Sequence, residues 1–448
     1  MNSLFARGLV IFSGGTAANS LVDIFNEIVE RQQCSLDYII PISDNGGSSS
    51  ELIRVFGGPG IGDIRSRVVR LIPSTHTHIR TLFNHRLPTD AIEALSEWNA
   101  IISNISPLWT PIPSHQRELI RSIFSHLNLE ILKRARPPSS TFNFTMASLG
   151  NLFLTGARLF TGSFESAIYL LGIMGGIPEN VRVIPAINSN FSHHISAGLE
   201  DGSVITGQNA ISHPSAPTAL DGQHYEEETP AEDANIPGTL PTLRRPNIVF
   251  SKAEEENLEY PIERVWYINP YGQEMRPTTN PKVVEALTNA EAVIYSIGSL
   301  YTSIAPCLIL KGVGDAIALT KTIKHKILIV NGSLDRETGP PSNAHTATLF
   351  VAAIARACEE SRGESGFAGR EAWGQYITHV LHLEGEGTPR IDKRQLSQAG
   401  IQCVRVYGRI GDDGKMRYDP KGLSQALEAI LGSREAKRDR SRRNTLER

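Results

Sequence analysis

The chain has 448 residues, 40% of them apolar, and a formal net charge of −3 at pH 7. That supplies apolar matter for a substantial core in about two or three domains, and the near-neutral balance gives no strong nucleic-acid or anionic-membrane signal. Four cysteines (Cys34, Cys307, Cys358, Cys403) with no CxxC pair argue for a reducing compartment and against a zinc ribbon.

At the N-terminus the short apolar run meets Gly14-Gly15 too soon for a signal sequence, and residues 8–13 (GLVIFS) predict a buried strand instead. GGTAANS and the helical pattern SLVDIFNEIVER follow, then a second strand at 36–42 (LDYIIPI) and another glycine-rich loop. Strand, loop, helix, strand in this order predicts a parallel βαβ unit with both loops at the carboxyl edge of the sheet.

Residues 62–172 carry apolar residues at spacings of three and four, as in QRELIRSIFSHLNLEIL and TMASLGNLFLTGARLF, and predict helices. Strands return at 181–187, in a hairpin turning at Asp201-Gly202, and at 262–268, 292–297 and 326–330. HTATLFVAAIARACEE predicts a further helix, and YITHVLHLEGEG a strand and loop that finish the same layer. No stretch reaches the roughly 18 apolar residues of a membrane span, so a cytoplasmic protein is expected.

The fold expected is α/β, a three-layer α/β/α arrangement around a mainly parallel sheet, with a helical subdomain inserted after the second strand. Its parts are the N-terminal core 1–72, the helical subdomain 73–178, core strands and hairpin 179–207, an insertion 208–260, the rest of the core 261–432 and a basic tail 433–448. The insertion mixes prolines with acidic residues and lacks apolar period, which predicts disorder, and 361–371 reads as a shorter version. The tail is either a solvated frayed end or a localisation or nucleic-acid contact.

Three glycine-rich loops follow strands: Gly14, Gly15 and Thr16; Asp44, Asn45, Gly46, Gly47, Ser48 and Ser49; and Gly298, Ser299, Leu300, Tyr301, Thr302 and Ser303. Each alone is a tight turn. Together on one sheet edge they predict a cradle of backbone N–H groups for a diphosphate, with hydroxyls adding donors. Neither a Walker loop nor a GxGxxG fingerprint is present, since Asp63 stands where the Walker lysine belongs and SGGTAAN lacks the dinucleotide spacing. Asp44 either braces its own loop or faces the phosphate, and Asp63 either caps a helix or does the same. Two carboxylates beside a diphosphate require a cation, so Mg2+ held by Asp44 and Asp63 is the metal expected, with Arg65 a phosphate partner. The histidine pairs His76/His78 and His193/His194 lack a third ligand for zinc.

SGGT at 13–16, DNGGSSSEL at 44–52, GDIR at 62–65, SLGNLFL at 148–154 and GSLYTSIAP at 298–306 resemble, in the same order, the blocks of the CofD/YvcK family. The resemblance spans roughly residues 8–335, interrupted by 208–260, and the insertion and tail suggest a eukaryotic-type member. It implies a Rossmann-like core. It also implies one of two functions: a CofD-like, magnesium-using transferase with a nucleoside-diphosphate-linked donor, or a non-catalytic, YvcK-like nucleotide-sugar (UDP-sugar) binding regulator of carbon metabolism or cell morphology. Carried over by position, Gly14, Gly15 and Thr16 would cradle the diphosphate, Asp44 and Asp63 would meet phosphate or metal, Asn151 would meet the ligand, and Gly298 to Ser303 would lie beside the nucleotide. Family members commonly form homodimers. Four positions depart from YvcK-type blocks: Ala17 for glycine, Glu51 for arginine, Ser66 for asparagine and Ile297 for proline. The lysine of CofD's own glycine loop has no counterpart.

Overall fold

A computed structural model describes residues 6–137, 140–213, 240, 243, 257–338, 344–363 and 369–432. Most of the 208–260 span, the middle of 361–371 and the tail 433–448 therefore lie outside the described residues. The strands in chain order are β1 (Ala6–Phe12), β2 (Cys34–Ile40), β3 (Val181–Pro185), β4 (His194–Leu199), β5 (Val204–Thr206), β6 (Ile262–Ile268), β7 (Glu274–Met275), β8 (Ala290–Tyr295), β9 (His325–Ile329), β10 (His379–His382), β11 (Gln402–Arg405), β12 (Gly408–Ile410) and β13 (Met416–Tyr418). The first helices are α1 (Val22–Gln32), α2 (Ser48–Phe56), α3 (Gly62–Leu71), α4 (Thr77–Asn84), α5 (Ala91–Ile102), α6 (Ser114–Arg134), α7 (Leu149–Thr161) and α8 (Phe164–Met174).

Seven strands form one sheet in the order β11-β10-β9-β8-β1-β2-β3, with every pairing parallel. With its flanking helices this is the Rossmann-like α/β fold expected. Parallel strands are covered on both faces, which is why they read as continuous apolar runs. Leu9 to Phe12 and Ala292 to Tyr295 are all buried. Asp37 is the polar exception in β2, held bidentately by Arg182 of β3 at 2.6 and 3.0 Å. Burial still pushes its carboxyl above the ordinary range, with Arg182 opposing.

Strand order reverses between β1 and β8, which pair from Gly8↔Ala290 to Phe12↔Tyr295. Loops leaving two such strands at their carboxyl ends diverge and leave a crevice, the usual ligand position of open parallel sheets. Here Ser13 N–H donates to Ile39 O (3.2 Å) and Ser296 N–H to Phe12 O (3.0 Å), so the first and third glycine loops start side by side.

The chain forms two compact units. One comprises Met1–Ile40, Glu179–Ala186 and Pro277–Arg448, and contains the parallel sheet; the other comprises Pro41–Pro178 and Ile187–Arg276. The second unit holds α2 to α8 and a separate sheet, β5-β4-β6-β7. The predicted hairpin forms, with Gly202 at φ 87, but it and the 262–268 strand join this antiparallel sheet and not the parallel one. Local apolar pattern identifies a strand without saying which sheet will pair it. The 208–260 span opens with a short helix, Gln208–Ser212, and the ends of 361–371 belong to the helices Ala347–Arg362 and Arg370–Tyr376. Among the described residues no helix is long and apolar enough to cross a membrane.

In the second unit α7 is the spine. Every residue from Leu149 to Arg158 is buried, and α2, α3, α4, α6 and α8 pack on it. Phe153 lies tilted against Phe83 (4.9 Å between ring centres, 52° between planes) and meets Phe124 edge-on (6.1 Å). Truncating it leaves a cavity that these rings cannot fill, so Phe153→Ala should cost about 3–5 kcal/mol. Denaturant unfolding checks this; a loss under about 1 kcal/mol would show that α7 is not the packing centre.

Candidate functional site

The second unit contains nine of the predicted site residues: Asp44, Asn45, Gly46, Gly47, Ser48, Ser49, Asp63, Arg65 and Asn151. Asp44 lies four residues beyond β2, its Oδ1 accepting from Gly46 N–H at 3.0 Å, so it does brace its own loop. The chain then returns through Gly60 and Gly62 at very close range. A Cβ on Gly60 would lie 2.0 Å from the Asp44 carbonyl oxygen, and one on Gly62 would lie 2.2 Å from Asp44 Oδ2 and 3.2 Å from Ser49 Oγ. Only glycine fits either place, and the result is to press the Asp44 carboxyl against the first turn of α3. Asp63 is the second residue of α3, not its cap, which is Ile61. Asp63 therefore stands beside Asp44 instead of satisfying the helix end from outside.

Two carboxyls in this position repel. Burial, then Asp63, pushes Asp44 up to about 7, opposed by the Gly46 N–H and Arg65. Arg65 in turn is lowered to about 10 by burial and by Arg86, opposed by both aspartates. Its Nε donates to Asn151 Oδ1 at 3.3 Å, and Asn151 Nδ2 donates to Ser48 Oγ at 2.9 Å and Ser49 Oγ at 3.5 Å. The first turns of α2, α3 and α7 thus meet around Asp44, and each brings N–H groups and the positive end of a helix dipole. Gly47, at φ 55, makes the turn into α2 in a conformation that glycine favours. Asn45 turns aside, its Oδ1 accepting from Asn209 N–H at 3.0 Å.

Glu51, the carboxylate at the family's arginine position, is neutralised within the fold. Arg54 holds it through Nε and Nη2 at 2.7 and 2.6 Å, and Asn143 N–H donates to it at 2.7 Å. Its charge is spent on anchoring α2 to the 140–143 segment. Among the described residues no group of three or more His, Cys, Asp or Glu side chains gathers to hold a metal. Asp44 and Asp63 form a two-carboxylate oxygen set, which suits magnesium completed by phosphate oxygens and water and does not suit zinc.

In the first unit, Gly14 is buried, Gly15 half-buried and Thr16 exposed, the last preceding a short 3-10 turn that leads into α1. Gly298 has φ 141, and its N–H and C=O exchange hydrogen bonds with the Asn331 side chain at 3.0 and 2.9 Å. Ser299 is half-buried, and Leu300 to Ile304 form a buried π-helical turn. Two of its donors are already taken. Tyr301 and Thr302 N–H donate to Glu337 Oε2 at 2.9 and 3.1 Å, and the Thr302 hydroxyl bonds the other carboxyl oxygen. Burial, then Asp335, pushes Glu337 up to about 8. Tyr301 OH meets His345 Nε2 at 3.0 Å. The 298–303 loop is therefore built around an internal carboxyl and the Asn331 side chain, with the Ser303 N–H also taken by Ser299 O at 3.0 Å. Asn331, Glu337 and Arg86 were not identified from the sequence; the run GSLDRETGP, close after a predicted strand, was the available signal for Glu337.

The family model for 2-phospho-L-lactate transferase CofD matches residues 9–406. An uncharacterized protein of Saccharomyces cerevisiae is 39% identical over 425 residues, covering 89% of this chain and 95% of its own. The gluconeogenesis factors of Halalkalibacterium halodurans and Bacillus subtilis are 21% and 23% identical, each covering 94% of this chain and 95% and 98% of their own. An X-ray structure of a Bacillus halodurans protein superposes with a TM-score of 0.59 at 20% identity, covering 94% of this chain and 99% of that one.

The Glu337 carboxyl has a stability signature. Its folded pKa lies above the ordinary value, so the stability it contributes is fully present below the ordinary carboxylate range and is lost as pH rises through about 8. Glu337→Gln keeps an acceptor for both N–H groups but cannot titrate, so its melting temperature should fall less than wild type's over that window. Glu337→Ala, which orphans buried donors, should lose about 1–3 kcal/mol at every pH. Equal pH slopes for wild type and Glu337→Gln would contradict this account.

Proposed function

The chain belongs to the CofD family, and within that transferase family we propose that it is a magnesium-assisted transferase acting on a nucleoside-diphosphate-linked donor. The observation that supports the reading is the Asp44–Asp63 pair, in which Gly60 and Gly62 close on Asp44 at the start of α3, with Arg65, Asn151, Ser48 and Ser49 around it. Asp44 and Asp63 would hold the ion, which supplies neutralisation of the diphosphate leaving group. Arg65 and the helix-start N–H groups stabilise charge that develops on the phosphoryl oxygens. Asp44, raised to about 7 without the ion, would release its proton when the ion binds, so proton and metal compete for it near neutral pH. In the first unit, taken by itself, Gly14, Gly15, Thr16 and Ser299 sit at the strand-order reversal, the usual ligand position of an open parallel sheet.

A second reading is a nucleotide-sugar-binding regulator. It is favoured by the bacterial relatives named as gluconeogenesis factors, and by the two-carboxylate site, which needs no more than binding to explain it.

Two measurements decide. Nucleoside diphosphates with magnesium should raise the melting temperature, since a ligand binding only the folded state stabilises it. The part of that shift that needs magnesium should weaken as pH falls below about 7, where a proton competes for Asp44, and vanish in Asp44→Asn. Without ligand, Asp44→Asn should melt higher than wild type above pH 7, because a carboxyl with a raised folded pKa costs stability once it ionises. An equal shift in chelator, with no turnover of any nucleoside-diphosphate-linked donor, would favour the regulator and sink the transferase reading.

A further inference from the structure

We propose that Arg86 pairs with Arg65 to form a metal-independent phosphoryl subsite at the start of α7. The inference rests on the anionic-ligand reading of the Asp44 cluster, but it assigns a separate contact to a residue outside every glycine loop. Arg86 is not a loose surface side chain at its root. Its backbone forms an antiparallel bridge with Ser148, flanked by Leu87 N–H to Ala147 O (2.9 Å) and Leu149 N–H to His85 O (3.0 Å). This fixes Arg86 against the residue that opens α7. Its Nη1 donates to Met146 O at 3.1 Å, and Met146 is held at φ 55, a left-handed conformation uncommon for a residue with a side chain.

Arg65 reaches the same helix end. A Cβ on Gly150 would lie 2.7 Å from both Arg65 Cδ and Phe83 O, so the Arg65 stem and the end of α4 both press on the first turn of α7. Among the described residues Arg65 hydrogen-bonds only Asn151 and Arg86 only Met146 O, and neither forms an ion pair. Two guanidinium groups close enough to repel, each with N–H donors to spare, are a fork that matches phosphate oxygens. Ser148 supplies the independent sign. It is fully buried, yet its hydroxyl caps no amide of the 13-residue α7 and has no hydrogen-bond partner. A buried hydroxyl left open at the start of a long helix, next to the Arg86 bridge and two guanidinium groups with spare donors, is accounted for when a phosphoryl oxygen completes the set.

The test uses the full chain with inorganic pyrophosphate in EDTA, read by thermal shift and calorimetric titration. Wild type should bind, Arg86→Ala should bind at least tenfold more weakly, and Arg86→Lys should lose about threefold, keeping charge without the fork. The ligand-free melting temperature of Arg86→Ala should match wild type, since the side chain is exposed. Asp44→Asn should retain pyrophosphate binding in EDTA. Wild-type affinity in Arg86→Ala, or no binding by wild type without metal, overturns the inference. If Asp44→Asn loses only the magnesium-dependent shift while Arg86→Ala binds normally, the transferase site stands and this subsite falls. If Arg86→Ala alone is impaired and Asp44→Asn keeps its magnesium shift, the subsite stands and the metal assignment falls.

Discussion

The Asp44 carboxyl is held hard against the start of α3 by a backbone that passes too close to let it move, and Asp63 repels it there. Gly60 and Gly62 pass so near Asp44 that even a methyl group at either place would collide with it, and the turn they make delivers Asp63 in the first turn of the helix that Asp44 abuts. The fold carries this cost without an ion pair from Arg65, which is turned to Asn151. Unfavourable electrostatics that packing enforces are typical of functional sites, where a ligand supplies the missing charge.

The same physical need is met differently in the other unit. The helical turn after Gly298 also presents N–H groups to a negative group, but there the chain supplies the group itself, Glu337. A helix start filled by an internal carboxyl is architecture. A helix start that faces a raised aspartate with a second beside it, an uncapped serine and spare guanidinium donors is where the proposed ligand would sit. The contrast separates the 298–303 loop, mostly consumed in holding segment 331–338, from the Asp44 loop, whose hydroxyls and amides converge on Asn151 and Arg65.

Much of this was legible in the chain. The parallel strands announce themselves as apolar runs because both faces are covered, and the Asp44, Asp63, Arg65, Asn151 and Ser48 set follows from short motifs whose order is informative. What stayed hidden depended on pairing across distance. The hairpin at 194–206 and the strand at 262–268 look locally like any half-buried strands, so nothing in them excluded the parallel sheet. Glu51 looked like a charge reversal at a ligand position until Arg54 and the Asn143 amide were seen to claim it. Glu337 and Arg86 lie in segments with no glycine signature, and only their tertiary contacts give them meaning.

The claim on which the account turns is that Asp44 and Asp63 together hold a divalent cation when a nucleoside diphosphate is bound. Crystals grown with Mn2+ in place of magnesium and with a nucleoside diphosphate test it directly through anomalous scattering. The account predicts one strong anomalous peak within bonding distance of a carboxylate oxygen from each aspartate and of a phosphate oxygen. Bound nucleotide with no peak between the two aspartates, or with the metal held elsewhere, would contradict it.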